Sequence, residues 1–174
     1  AALFDGKTTE VTYWVLDPSD RFEALQSGLV DVLARVTTHT MERDVQEKST
    51  GRGFSFAYPN FHDRIRFAGS PEYIQCAENR DWTSDACSKL QICVTSSTTQ
   101  HDLLSRIFPP SHLVLSDSTS ENVESFSDGK CQVLAAGSVE VSKASIEKYY
   151  SGDYDIGSLA LSRESLALVT TEED

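Results

Sequence analysis

Apolar and polar positions alternate along "EVTYWVL", with Val11, Tyr13 and Val15 set against Thr12 and Trp14. A period of two in β-branched and aromatic residues predicts a strand. The period then lengthens. In "DPSDRFEALQSG", Phe22, Leu25 and Leu29 share one helical face, Asp20 and Glu23 stand at capping-box spacing, and Gly28 sits near the C-terminal end. "VDVLARV" predicts the next strand. A strand–helix–strand unit of this length predicts a parallel pair joined by a right-handed crossover.

The same alternation returns further on. "LQICV" is a short apolar run, and "TSSTTQHDLLSRIF" leads into a helix striped by Leu103, Leu104, Ile107 and Phe108 and ended by Pro109-Pro110. "SDSTSENVESFSDG" is rich in serine but carries Val123 and Phe126 at helical spacing, which predicts a loop and then a short helix. The pattern is that of an α/β protein.

Two stretches carry candidate chemistry. "TTHTMERD" follows "VDVLARV" directly, so Thr37, Thr38, His39, Thr40 and Arg43 stand at a carboxyl strand end, where open α/β sheets bind ligands. Five consecutive hydroxyl residues, Thr95 to Thr99, precede the second helix. Free N–H groups at a helix start attract anions, and hydroxyls add donors. The bland alternatives are a polar loop for the first stretch and ordinary N-capping for the second, which needs only one hydroxyl. For Arg43 the competing role is a surface ion pair with Glu42 or Asp44.

Composition narrows the classes. A chain of 174 residues with 39% hydrophobic and 24% charged residues is globular. Fifteen basic against 27 acidic residues give a net charge of −12, which argues against nucleic acid or an anionic membrane surface as partner. No apolar run approaches the roughly 18 residues that cross a bilayer, so no direct membrane insertion is expected. "AALFDGK" is too short and polar for a signal core, and no targeting segment is expected within the chain. There is no G-x-S-x-G turn. His39, His62, His101 and His112 have no evident catalytic partners, and only His101 follows the hydroxyl run. Neither a catalytic residue, a metal site nor a cofactor is assigned.

The four cysteines, Cys76, Cys87, Cys93 and Cys131, show no CxxC spacing and make a poor zinc site. Cys76 and Cys87 bracket the polar stretch "AENRDWTSDA", while Cys93 and Cys131 lie in or beside two apolar runs that could be neighbouring strands. An even count fits disulfides Cys76–Cys87 and Cys93–Cys131 in an oxidising compartment. Four buried thiols are the alternative.

Taken together, these stretches resemble the polar and general L-amino-acid substrate-binding proteins of ABC transporters. "RFEALQSGLVDVLARVTTHTMERD" is similar to the first-lobe segment of that family. "LQICVTSSTTQHDLL" resembles the turn that opens its second lobe, "SDGKCQVLAAGS" a later strand, and "LSRESLALV" the returning segment. The resemblance implies a two-lobed type II periplasmic-binding fold, each lobe a sheet flanked by helices, with the ligand held in the cleft between them. Lobe one would hold residues 1–64 plus 159–174 and lobe two residues 65–158. "GFSFAYPNFHDRIRF" and "DYDIGSLALS" would be the crossings between them.

The resemblance also implies roles. Arg43 matches the family arginine that pairs with a ligand α-carboxylate, a task suited to its planar fork. Thr38 matches a nearby ligand-contacting hydroxyl, and Thr98 and Thr99 match the hydroxyls at the second-lobe helix start. Trp14 and Asp17 are candidate pocket walls, and Tyr58, Phe61 and Tyr73 candidate hinge or core aromatics. Two departures stand out. Family members carry a strand and most of a helix before the segment matching "AALFDG", so lobe one reads as truncated. The acidic residue that pairs with a ligand ammonium falls at Gly137, and Glu140 lies three residues on. Glu172, Glu173 and Asp174 read as a solvated tail.

Three functions follow. The leading one is an extracytoplasmic (periplasmic, secreted or organelle-lumen) binding protein. It would capture an amino acid or other small carboxylate for transport or sensing, with an ABC permease or membrane receptor as partner. The second is an interaction module on the same fold with a decayed pocket. The third is a dehydratase-type enzyme, which requires a catalytic acid in the cleft.

Overall fold

The computed structural model describes residues 11–44, 53–138, 141 and 154–171. Its larger sheet is built from β3 (Ile65–Gly69), β4 (Ile92–Thr95), β5 (Leu113–Ser116), β6 (Val133–Gly137) and β7 (Asp155–Ile156), in the order β5-β4-β6-β3-β7. β4 runs parallel to β5 and to β6, with Ile92 opposite Val133, so those two strands share a sheet as the resemblance implied. β3 runs antiparallel to β6 and β7. Every residue of β4 and β6 is buried, as expected of central strands covered on both faces.

Alternation divides the core into two layers. Phe67, Ile92, Val94 and Val133 pack with Ile74 of α3 (Pro71–Glu78) and Leu104 of α4 (Thr99–Ser105). Cys93, Leu134 and Ala136 face the other way, onto Val123 and Phe126 of α5 (Thr119–Ser127). One disulfide lies in each layer, Cys76–Cys87 in the first and Cys93–Cys131 in the second. The Ser118 hydroxyl accepts the Glu121 N–H and caps α5.

The smaller β-structure consists of two antiparallel pairs: β1 (Phe54–Phe56) with β9 (Val169–Thr171), and β2 (Phe61–Asp63) with β8 (Glu164–Leu166). Only Arg64 separates β2 from β3, so the chain passes straight from one β-structure to the other. A third core cluster of Leu25, Leu33, Phe54 and Val169 holds α1 (Arg21–Gln26) against these pairs.

The first part of the chain departs from the pattern. The expected strand "EVTYWVL" has no ladder along Val11–Asp17, and Tyr13 and Val15 are 84% and 101% exposed. "VDVLARV" is not a strand either. It makes a single antiparallel bridge, Leu33 to Val169, followed by Thr38 to Leu166. The expected parallel pair between these two segments is therefore not formed. Alternation fixes which side chains share a face, but a strand also needs a neighbouring backbone to take its N–H and C=O groups. Among the described residues the returning tail supplies that backbone at two bridges, at Leu33 and Thr38.

Helix α1 forms without its expected capping box. Asp20 lies in the α region with no side-chain cap bond, and its carboxylate accepts the Ser19 hydroxyl at 2.6 Å instead. Gly28 ends the helix at φ +73°, with Val30 N–H reaching back to Ala24 O at 3.2 Å. That left-handed closure is the one the sequence pattern predicted. Tyr73 packs on the first core layer, whereas Tyr58 and Phe61 are exposed and so are not core aromatics. Glu140, Glu172, Glu173 and Asp174 lie outside the described residues.

Candidate functional site

The two β-structures meet at a cleft. Its main cavity is about 580 Å³ and is lined in part by Phe22, Arg43, Thr99, Asp102, Arg163 and Glu164. A smaller one of about 40 Å³ adjoins it and is reached by Arg21, Arg35, Thr38, Asp63 and Gly137.

Arg43 belongs to the four-residue helix α2 (Met41–Asp44), which starts where Thr38 bridges to Leu166. Its N–H is held by the Thr40 hydroxyl at 3.2 Å, and its Nη1 donates to Thr38 O at 2.7 Å. The guanidinium lies 5.1 Å from the centre of the Phe22 ring, a cation–π distance. Desolvation lowers its pKa from the ordinary arginine value, opposed by Asp102, Glu164 and Glu42 in that order. Asp44 is turned to His39 Nε2 at 3.2 Å, and the His39 ring stacks on Phe56.

A chain of hydroxyls spans the cleft. Thr38 Oγ1 is 3.3 Å from Thr99 Oγ1, and Thr99 Oγ1 donates to Glu164 Oε2 at 3.1 Å. Thr99 has one proton and gives it to Glu164, so Thr38 is the donor to Thr99. Thr98 is occupied differently. It donates to Thr95 O at 2.6 Å and accepts the His101 N–H at 3.2 Å, capping α4. Its proton is already committed to Thr95 O, so Thr98 can donate to a ligand carboxylate only by giving up that bond. Thr98→Ala is expected to lower stability by about 1 kcal/mol through the lost cap, checked by urea denaturation. Its effect on ligand affinity should be smaller than that of Thr99→Ala.

The sequence pattern missed two groups in this cleft. Glu164 is 8% exposed and lines both cavities. It comes from the returning segment "LSRESLALV", where its position in a strand gave no sign of the chemistry opposite. Arg21 is 3% exposed, although a charged first residue of an amphipathic helix reads as solvated. Its pKa is pushed down to about 10 by burial, with repulsion from Arg43 and then Arg35 adding to it. Asp63 is also 8% exposed, and its Oδ1 accepts the N–H groups of Arg64 and Ser138 at 2.7 and 2.9 Å.

Other candidates fall elsewhere. Trp14 lines a separate groove with Tyr13 and Val15, and Asp17 is exposed and outside the cleft. Neither walls the pocket, because the expected first strand that would have aimed them is absent. His112 Nδ1 is 2.7 Å from Leu90 O and His62 Nδ1 is 3.2 Å from the Ser165 hydroxyl, so both serve local structure. Among the described residues no group of three or more His, Cys, Asp or Glu side chains could hold a metal ion. No helix among them is long and apolar enough to cross a membrane.

This arrangement, paired crossings between a small β-structure and a five-stranded sheet with polar groups converging from both sides, is the type II periplasmic-binding-protein fold. The solved L-cysteine solute receptor of Neisseria gonorrhoeae superposes at TM-score 0.71 over 96% of this chain and 62% of its own, at 21% identity. In sequence the chain is similar throughout its length to YhdW of Escherichia coli (strain K12), which is named as an amino-acid ABC transporter-binding protein, at 27% identity over 100% of this chain. It is 32% identical over 76% of its length to the general L-amino acid-binding periplasmic protein AapJ of Rhizobium johnstonii. The chain spans 49% of YhdW and 37% of AapJ. No family model matches it. The likeness to a protein named as an amino-acid ABC transporter-binding protein thus holds along the chain.

Proposed function

We propose that this chain is the ligand-binding part of an extracytoplasmic solute-binding protein that captures an amino acid or other small carboxylate for delivery to an ABC permease or a membrane receptor. Residues 1–64 with 159–174 form lobe one in this reading, and residues 65–158 form lobe two. The observation that carries it is the convergence of Arg43 and Glu164 on one cavity, closed from the α4 side by Thr99, whose hydroxyl meets both Thr38 and Glu164. A zwitterion leaving water needs both of its charges matched and its lone pairs filled. A guanidinium fork suits the carboxylate, and a buried carboxylate suits the ammonium that Gly137 leaves without an acidic partner at its own position. The cavity falls within the roughly 300–1,000 Å³ of small-molecule clefts. The names of the two relatives, both binding proteins, favour capture over catalysis.

Isothermal titration against a panel of amino acids and their deaminated carboxylates tests this reading. Glu164→Gln should weaken binding of amino acids by about 10- to 100-fold, the scale for a hydrogen bond to a charged group, while binding of the matching deaminated acid is unchanged. An intact fold that binds nothing in the panel would favour the interaction-module reading.

A further inference from the structure

Arg21 is placed where a second anionic group would be needed. Its side chain is 3% exposed, and its Nη2 donates to Ser97 O at a long 3.3 Å. Among the described residues its Nε has no partner. Among the described residues no carboxylate lies within ion-pairing distance of it, and the charged groups that act on it are Arg43 and Arg35, both repulsive. The Arg21 and Arg43 guanidiniums lie 4.9 and 5.1 Å from the centre of the same Phe22 ring. Arg35 is fixed by a 2.6 Å bond from Nη1 to Leu16 O. Ser97, whose carbonyl receives Arg21, sits at φ +55°. A non-glycine residue in that conformation is strained, and here it turns its carbonyl toward a buried cation.

The smaller cavity is therefore lined by Arg21, Arg35 and Arg43 against Asp63 and Glu164. Arg43 is matched by Asp102, Glu164 and Glu42, whereas the charged groups acting on Arg21 are cations. A buried charge without a counter-ion is costly. A neutral zwitterion that spends its carboxylate on Arg43 leaves Arg21 unmatched. A solute with a second acidic group supplies Arg21 with a counter-ion.

We propose that Arg21 is a second anion-anchoring residue of this cleft and that the preferred ligand carries two acidic groups, such as an acidic amino acid or a dicarboxylate. The ligand class rests on the proposed binding function; the role of Arg21 as an anion anchor does not.

The test compares wild type, Arg21→Met, Arg21→Lys and Arg43→Ala. Each is titrated with glutamate, glutamine and glutarate, and each is melted in sulfate and in chloride at equal ionic strength. In wild type, glutamate should bind at least tenfold more tightly than glutamine. Arg21→Met should lose that preference while keeping the glutamine affinity, and Arg21→Lys should restore part of it. Sulfate should raise the melting temperature of wild type and not that of Arg21→Met. Equal losses for glutamate and glutamine in Arg21→Met would overturn the ligand class and mark Arg21 as structural. If the amino acids fail to bind but the sulfate response depends on Arg21, the anion anchor stands and the amino-acid function falls. A sulfate response retained in Arg21→Met overturns the anchor.

Discussion

Arg43→Ala is expected to weaken binding of any carboxylate ligand by about 2–5 kcal/mol, the scale for truncating one partner of a buried charged pair. At roughly 1.4 kcal/mol per decade, that is a loss of more than tenfold at the lower bound and more than a thousandfold at the upper. The size follows from how the side chain is held. One N–H of the guanidinium is fixed on Thr38 O at 2.7 Å and its face on Phe22, so the remaining donors are oriented before a ligand arrives. Little ordering is then left for the binding step. Arg43→Lys should also lose affinity, because an ammonium on a flexible stem cannot reproduce a planar fork. The measurement is isothermal titration of wild type and both variants with the tightest-binding member of the panel. Equal affinity for wild type and Arg43→Ala would remove Arg43 from the site, and with it the reading of "TTHTMERD" as a ligand-binding stretch.

The second large effect concerns the cross-link in the layer between the sheet and α5. Cys93 and Cys131 are separated by 38 residues and join β4 to the segment entering β6. In the chain-entropy description, closing a loop of that length restrains the unfolded chain by about 4 kcal/mol. The bond also lies in a closed apolar layer, where Cys93 and Leu134 are fully buried. Replacing both cysteines by alanine should lower the melting temperature by about 8–16 °C for a chain of this size. The Cys76–Cys87 cross-link, separated by 11 residues, should contribute less, about 3 kcal/mol on the same basis. Thermal melts of the two double variants, oxidised and reduced, check the order. A larger loss from the shorter loop would show that local packing around α3, and not loop closure, sets the effect.

Part of the candidate site was legible because two polar stretches, "TTHTMERD" and Thr95 to Thr99, directly follow apolar runs. Within them the resemblance singled out Arg43, Thr38 and Thr99, and the structure brings all three to one cavity. Thr98 shows the limit of that reasoning. Its hydroxyl is adjacent to the cleft but is spent on the helix end, and a run of five hydroxyls does not reveal which one caps.

Arg21 and Glu164 lie in segments remote in sequence, at the first residue of α1 and the first of β8. Their burial depends on which backbones come together around them. A one-dimensional pattern reports the face a residue occupies, not what covers that face. The same reason explains why Val11–Asp17 alternates like a strand without forming one.

By itself the sequence determined the α/β character, the strands near Ile92 and Val133, the helix closed by Gly28 and the short helix carrying Val123 and Phe126. These are local matters, set by the period of apolar residues and by backbone conformations that only some residues adopt. The tertiary structure alone decided that β2 runs beside β8, that the tail takes the bridges of Leu33 and Thr38, and that three arginines share one wall with two carboxylates. Those facts depend on long-range pairing, where one backbone must supply the partner for another and burial turns a scattered set of charges into a field.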